Sequence, residues 1–126
     1  MCGQLFAFDR EVLLTCIGQK ETGNRDGLVG KAGELGVYQM MPSTVRQWGG
    51  YQRKHAMNHL LWIESNLKKA GMEPSVYNIA LSWNAGLRKV THGQPKERHY
   101  LYARAVEGLY IVESHRPPSS WPAPER

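Results

Sequence analysis

Glu21 stands at the end of an apolar helical pattern and just before a glycine-rich segment. Leu14, Ile17 and Glu21 fall at positions i, i+3 and i+7, which is one stripe of a helix, so the Glu21 carboxyl should lie at the edge of the core. Burial there disfavours the charged carboxylate and raises its pKa. A glutamic acid that keeps its proton near neutral pH can protonate a leaving oxygen. The stripe alone favours a plainer alternative, a helix-end carboxylate that turns into water.

The segment after Glu21 offers backbone and apolar surface to a ligand. Five glycines lie between positions 23 and 36, and glycine lets the backbone approach a ligand closely and donate hydrogen bonds to it. Gln39 adds a donor and an acceptor. Tyr38 and Met41 add flat or polarizable apolar surface that suits the faces of sugars. A carboxylic acid, an amide and apolar surfaces in one cleft are what cleavage of a glycosidic bond requires.

Three motifs resemble those of the soluble lytic transglycosylase family, in the lysozyme-like superfamily. In the first motif, Glu21 with the threonine after it resembles the family's catalytic Glu and its following residue. The segment "KAGELGVYQMMPST" at 31–44 then resembles the family's Gly-x-x-Gly-Leu-Met-Gln-x-Met-Pro-x-Thr run. The second, "ALSWNAG" at 80–86, resembles Ala-Tyr-Asn-Ala-Gly, with Trp83 in place of the tyrosine. The third, "ERHYLYARAVEGLY" at 97–110, resembles the tyrosine-containing closing helix. Together they cover nearly the whole predicted domain.

This resemblance implies cleavage of the β-1,4 bond between N-acetylmuramic acid and N-acetylglucosamine in peptidoglycan. Glu21 would protonate the glycosidic oxygen, while the substrate's N-acetyl group stabilises the oxocarbenium-like centre. The Glu21 carboxylate would then take a proton from the muramoyl C6 hydroxyl, which attacks C1 and closes a 1,6-anhydro ring. We expect a monomer with a mainly α, lysozyme-like fold and a glycine-rich loop or short β-hairpin as one wall of the cleft. We expect no cofactor and no metal.

Residues at the matched positions are candidates for contact with the glycan. Met41 and Trp83 have an alternative as plain core residues. Gln39 and Asn84 have an alternative as side chains that tie the loop to neighbouring backbone. The candidate substrate-binding residues are Thr22, Gly36, Tyr38, Gln39, Met41, Trp83, Asn84, Tyr100 and Tyr102.

The chain departs from the family pattern at several positions. Gly30 stands where many members carry a serine that contacts the substrate, and Glu34 is an unusual carboxylate inside the glycine run. In the last motif Glu97 is out of register by one residue, whether Tyr100 or Tyr102 is taken as the family tyrosine.

A hydrolytic goose-type lysozyme is the nearest alternative, because it shares the Glu and the Gly-Leu-Met-Gln loop. Such enzymes use additional aspartates to activate water. The corresponding positions here fall near Gly30 and Met41, neither of which can act as a base, and Glu34 is the nearby acid that could replace them.

Two other classes of function are not enzymatic. A catalytically silent, wall-binding or virion-structural domain would have no use for a buried acid at position 21. A basic nucleic-acid-binding protein would present a recognition helix lined with Lys and Arg, but "HAMNHLLWIESNLKK" at 55–69 carries its lysines at one end. We therefore expect peptidoglycan glycan strands as the partner and no nucleic acid.

The length of 126 residues suits one domain, which we place at 1–114, followed by a Pro/Ser-rich tail at 115–126 that we expect to be disordered. Caps, glycine stops and apolar spacing predict five helices. Their approximate bounds are 9–23, 43–49, 55–69, 75–86 and 97–113.

The charge distribution indicates the kind of partner, and the cysteines and histidines indicate whether a disulfide or a zinc site is expected. Residues 46–104 hold ten Lys/Arg against three acids, which suits an anionic partner such as the bacterial cell wall. Cys2 and Cys16 do not form a disulfide framework and should be reduced thiols. His55 and His59 lie four residues apart but lack the Glu of a zinc protease motif, so we predict surface histidines.

The start of the chain has no basic region or small-residue cleavage site typical of a secretory signal, and no apolar run is long enough for a membrane span. A wall-degrading domain with these features fits a phage endolysin or a virion-associated lysin, and it also fits a domain from a longer exported protein.

Overall fold

The structure is a computed structural model that describes residues 7–116. This part of the chain is mainly helical, as the sequence predicts, and five of its helices lie close to their predicted bounds. A further short helix, immediately after Gly86, was not predicted. The helices are α1 Arg10–Thr22, α2 Pro42–Trp48, α3 Arg53–Lys69, α4 Val76–Ala85, α5 Leu87–Thr91 and α6 Glu97–Ser114.

The ends of α1 and α4 follow the predicted capping residues. The Asp9 side chain accepts hydrogen bonds from the backbone N–H groups of Glu11 and Val12, at 3.0 and 3.2 Å. Gly23, in the left-handed conformation with φ 68°, ends α1 directly after the Glu21 turn. At the start of α4 the Ser75 hydroxyl accepts a hydrogen bond from the Asn78 N–H at 3.0 Å. Local sequence therefore fixes where the helix that carries Glu21 stops.

The core lies where α6 packs against α4 and α1, with α3 against both α1 and α4. Apolar side chains that recur at helical spacing fill it. Leu61 of α3 is apolar but lies outside the core, because it is 43% exposed. The fully buried large side chains include Leu13, Leu14 and Ile17 of α1, Leu60, Ile63 and Leu67 of α3, Ile79 of α4 and Val106 of α6.

The glycine-rich loop spans residues 23–41 and carries Tyr38 into the core. Its backbone pairs through two isolated antiparallel bridges, Val29 with Leu35 and Leu35 with Met40. Residues 7–116 contain no strand, so the short hairpin that we expected is not confirmed. Positive φ angles at residues such as Gly33 (87°) and Gly36 (78°) interrupt the extended backbone that a hairpin needs.

Two arginines tie the N-terminal half of α1 to the rest of the fold. Arg10 makes a bidentate ion pair with the buried Glu64 of α3, at 2.8 and 2.6 Å. Arg53, at the start of α3, donates to the Tyr38 hydroxyl at 2.7 Å and to the Glu11 carboxylate at 2.9 Å. These contacts hold α1, α3 and the glycine-rich loop in one arrangement.

The sequence-based predictions for a membrane span, the cysteines and the C-terminal tail can be compared with the structure only within residues 7–116. Among residues 7–116, no helix is both long and apolar enough to cross a bilayer. Cys16 is buried on α1, as predicted, and burial raises the pKa of its thiol to about 12. Cys2 and residues 117–126 of the predicted tail lie outside the described part, whereas α6 ends at Ser114, the predicted domain boundary.

Candidate active site

Glu21 lies in the last turn of α1 with its side chain partly buried. Helix α6 packs along α1, from Tyr110 beside Asp9 to Tyr102 beside Glu21. The Tyr102 hydroxyl donates a hydrogen bond to Glu21 Oε2 at 2.7 Å. Burial raises the pKa of Glu21 above its usual value, and the charge of Glu34 adds to this effect. The hydrogen bond from Tyr102 and the charge of Lys20 act in the opposite direction, but burial dominates.

Tyr102 is a fixed donor to this carboxyl. Its side chain is buried, and burial together with the neighbouring Glu21 raises the pKa of the phenol well above its usual value. Tyr102 therefore keeps its proton and points it at Oε2. When Glu21 is protonated, its own proton is then best placed on Oε1, which has no hydrogen-bond partner among the described residues. The geometry leaves that oxygen able to act as a proton donor.

The glycine-rich loop is fixed against α1 immediately beside Glu21. The Thr22 hydroxyl donates to the Val37 carbonyl at 2.8 Å. One turn earlier, a Cβ atom added to Gly18 would lie 2.9 Å from Val37 Cγ1 and 3.0 Å from Tyr38 Cε1, closer than a real Cβ tolerates. Gly18 therefore allows the loop to cross directly over the helix. Sequence analysis did not single out Gly18, although a glycine inside a helix is a signal of close approach.

Gly30, Glu34 and Gln39 converge within the loop. A Cβ at Gly30 would lie 2.6 Å from Glu34 Oε1 and 2.7 Å from Gln39 Oε1, so a side chain at position 30 would require these two carboxyl and amide groups to shift. Gln39 Nε2 donates to the Gly36 carbonyl at 2.9 Å, and Glu34 Oε1 accepts from the Ala32 N–H at 2.8 Å. Gln39 thus ties the loop together, as its alternative role predicted. Two side-chain oxygens occupy the space that a serine would take at position 30.

Three of the nine candidate contacts build the loop and have little or no surface for a ligand. Tyr38 is fully buried with its hydroxyl on Arg53, so the prediction that it contacts the glycan is wrong. Thr22 is also buried, and its hydroxyl is engaged with backbone. Gly36 is buried against Tyr51, which a Cβ at position 36 would approach to 2.7 Å. The contacts of these three residues lie within the fold and shape the glycine-rich loop.

Three other candidates keep accessible surface. Met41 is 45% exposed at the start of α2, and Asn84 is exposed near the end of α4. Trp83 is partly buried, and its indole N–H donates to the Tyr38 carbonyl at 3.1 Å. The structure therefore places Trp83 against the glycine-rich loop, although none of these three side chains forms a hydrogen bond to Glu21.

Packing decides between Tyr100 and Tyr102, the two tyrosines of α6 that were candidates for substrate contact. Tyr102 contacts Glu21, whereas Tyr100 is 38% exposed. Residues two apart on a helix lie on different faces, so Tyr100 is turned away from the carboxyl. The prediction of Tyr100 as a substrate contact is therefore not supported by its position.

An aromatic cluster lies beside the loop, formed by Trp48 of α2, His59 and Trp62 of α3, and Trp83 of α4. His59 stacks on Trp62 with ring centroids 5.6 Å apart, and its ring meets the edges of Trp48 and Trp83 at 6.3 and 5.1 Å. The prediction of a surface histidine is corrected, because three indole rings leave His59 only partly exposed. This burial lowers the pKa of its ring to about 4. His55 instead accepts a hydrogen bond from the Gln52 N–H at the start of α3.

Two further features of the described residues concern other kinds of site. Residues 7–116 contain no group of three or more His, Cys, Asp or Glu side chains suited to a metal ion. A shallow depression lined by Phe8, Arg10 and Tyr110 lies at the opposite end of α1, roughly 17 Å of helix away from Glu21. Comparison of the chain with protein-family models, curated proteins and solved structures gives no match.

Proposed function

We propose that this protein cleaves the glycan strands of bacterial peptidoglycan as a lytic transglycosylase, with Glu21 as its single acid and base. The observation that carries the proposal is the Glu21 carboxyl itself. It is partly buried, its pKa is raised, Tyr102 holds one of its oxygens, and a glycine-rich loop lies against the adjacent turn. This combination supports proton transfer to a glycosidic oxygen at neutral pH.

The first step needs an acid. Glu21 Oε1 delivers its proton to the oxygen between the two sugars, and the bond from that oxygen to C1 of the muramoyl residue breaks. The acetamido group of the same sugar stabilises the positive charge at C1, so a second carboxylate is not needed as a nucleophile. Tyr102 stabilises the Glu21 carboxylate as it forms, because a hydrogen bond to a charged acceptor is stronger than one to a neutral acceptor.

The second step needs a base. The Glu21 carboxylate takes the proton of the muramoyl C6 hydroxyl, the C6 oxygen bonds to C1, and the 1,6-anhydro ring closes. Glu21 is thereby protonated again for the next cycle. The attacking hydroxyl belongs to the bound sugar, so its effective concentration is high when the ring is held correctly.

Glu34 supports hydrolysis as a second candidate outcome. Its negative charge acts on Glu21 and raises the pKa of that carboxyl, although less than burial does. A second carboxylate near the acid can hold and activate a water molecule, which would then attack C1 in place of the C6 hydroxyl. The same bond would break, but the muramic ends would be reducing instead of anhydro.

The proposal is tested by Glu21→Gln, with Glu73→Gln as the matched control. Glu73 is exposed, so the same chemical change there should leave lysis of purified cell walls intact. We expect Glu21→Gln to fold and to lose nearly all lysis, measured as loss of turbidity. Retained lysis would move the acid elsewhere. Wall binding without turbidity loss by the wild-type protein would instead support a catalytically silent domain.

Folding of Glu21→Gln can be checked through its stability. The raised pKa of Glu21 means that the folded state binds this proton more readily than the unfolded state. Stability therefore falls as pH rises from the ordinary carboxyl pKa through the raised one. Because the amide does not titrate, we expect Glu21→Gln to unfold at a higher temperature than the wild type at pH 7 to 8, with a smaller difference at pH 4.

Product analysis separates the two enzymatic outcomes. Digestion of purified walls by the wild-type protein should give anhydro-muramic ends, detected by mass spectrometry. If only reducing ends form, the protein is a hydrolase. In that case Glu34→Gln should reduce the rate, whereas it should not change the type of product made by a transglycosylase.

A further inference from the structure

The aromatic cluster of Trp48, His59, Trp62 and Trp83 has a fixed geometry. The Trp48 indole N–H donates to His59 Nδ1 at 3.1 Å, and the Trp83 indole N–H donates to the Tyr38 carbonyl at 3.1 Å. His59 stacks nearly parallel to Trp62, with 15° between the ring planes. Three of the four rings are therefore held by hydrogen bonds and the fourth by stacking, so a ligand would meet an already ordered surface.

Two N–H groups of this cluster are left without a protein partner. Because His59 Nδ1 accepts the Trp48 N–H, the ring proton lies on Nε2. Neither His59 Nε2 nor the Trp62 indole nitrogen has a hydrogen-bond partner among residues 7–116. The same residues contain no fully enclosed side-chain N or O atom that lacks a partner, so both nitrogens keep some contact with solvent. A sealed core cluster would have enclosed or paired them.

Contacts connect the cluster to the proposed catalytic carboxyl. Thr22, the residue after Glu21, is bonded to the Val37 carbonyl, and the next carbonyl along the loop, that of Tyr38, accepts the Trp83 N–H. Trp83 in turn meets His59, with ring centroids 5.1 Å apart. The cluster therefore begins on the far side of the same loop segment that lies against Glu21.

The chemistry of the cluster selects the kind of ligand. Partly exposed aromatic rings take the apolar face of a pyranose, and the two N–H donors require acceptors such as hydroxyl or acetamido oxygens. A cationic ligand is the other usual occupant of aromatic clusters. It is disfavoured here, because residues 46–104 carry ten Lys/Arg against three acids and because a quaternary cation offers no acceptor.

We propose that Trp48, His59, Trp62 and Trp83 form a glycan-binding subsite that holds an N-acetylated sugar away from the scissile bond. This inference rests on the proposed function and names a second place where the same strand is held. Trp62 supplies the stacking surface, Trp62 and His59 supply the two donors, and Trp48 and Trp83 fix the orientation of His59. Burial keeps the His59 ring neutral above about pH 4, so the surface does not change its charge at neutral pH.

The test measures binding of a soluble chito-oligosaccharide, N-acetylchitotetraose, to the 126-residue protein carrying Glu21→Gln. This substitution is included because it prevents turnover of the sugar. Trp62→Ala is compared with Leu61→Ala, the exposed neighbour on the same helix that lies outside the cluster. We expect Trp62→Ala to weaken binding by roughly tenfold or more and Leu61→Ala to leave it unchanged. Equal affinity of the two variants would overturn the proposal.

A second measurement needs no substitution in the cluster and so does not depend on how well Trp62→Ala folds. In a nitrogen-15 NMR titration with the same sugar, we expect the indole N–H signal of Trp62 to shift most. The Trp48 and Trp83 signals should move less, since both groups already donate within the protein. If the Trp62 signal does not move at saturating sugar, the subsite is wrong.

Failure of this proposal is distinguishable from failure of the proposed function. If Glu21→Gln abolishes lysis but Trp62→Ala binds the sugar normally, only the subsite is wrong. If Glu21→Gln still lyses walls while Trp62→Ala loses sugar binding, the catalytic assignment is wrong and the subsite stands.

Discussion

The hydrogen bond from Tyr102 to Glu21 makes a quantitative prediction for Tyr102→Phe. The substitution keeps the buried ring and removes only the hydroxyl that lies 2.7 Å from Glu21 Oε2. A hydrogen bond to a charged group contributes about 1.5–3 kcal/mol. If it acts mainly on the carboxylate formed during bond cleavage, its loss slows wall lysis by roughly 10- to 150-fold. Because this bond lowers the pKa of Glu21, its loss raises that pKa further and should move the alkaline limb of the pH–rate profile to higher pH.

The assay is the initial rate of turbidity loss of purified walls from pH 4 to 9. Tyr100→Phe is the matched control, because it removes the same hydroxyl two residues away on a different face of α6. We expect its rate and profile to equal those of the wild type. An unchanged alkaline limb in Tyr102→Phe would refute the inferred coupling, even if the rate fell. Equal losses in both variants would show that the tyrosines act through general stability.

Two further predictions concern the loop and the aromatic cluster. Gly36→Ala should destabilise the protein in urea unfolding by about 1–3 kcal/mol more than Gly27→Ala does. Both glycines have φ near 80°, but only a Cβ at Gly36 would clash with Tyr51. Equal losses of stability in the two variants would mean that Tyr51 moves aside freely. Burial lowers the pKa of His59 from 6.5 in the unfolded chain to about 4 in the folded protein, so the wild type should lose stability as pH falls through this window. His59→Gln should lose less stability over the same range. Parallel profiles of stability against pH for the two proteins would contradict the burial of His59.

Local signals in the sequence were sufficient to predict most of the helices. Asp9, Ser75 and the glycines that follow α1 and α4 act on backbone groups only a few residues away, so their effect does not depend on the rest of the fold. The stripe of Leu14, Ile17 and Glu21 was predictable for the same reason, since helical spacing alone places the three on one side. The edge-of-core position of Glu21 follows directly from that stripe.

Side-chain environments were less predictable where they depend on distant residues. Tyr38 was predicted to face a ligand but is fully buried, because Arg53 from α3 reaches its hydroxyl and α1 has a glycine where the ring passes. His59 was predicted to be exposed, yet indole rings from three helices surround it. The neighbours of Tyr38 and His59 cannot be inferred from spacing along one helix, because they come from other parts of the chain.

What the sequence by itself determined is the helix that carries Glu21, its end at Gly23, and the glycine-rich loop that follows. What only the tertiary structure decided is which groups surround the carboxyl. Tyr102 lies 81 residues from Glu21 along the chain, and no local rule distinguishes it from Tyr100. The packing of α6 along α1 makes that choice, because it buries one face of α6 and leaves the other in water. A carboxyl pKa depends on desolvation and nearby partners, so it is a property of this packing and not of the residue alone.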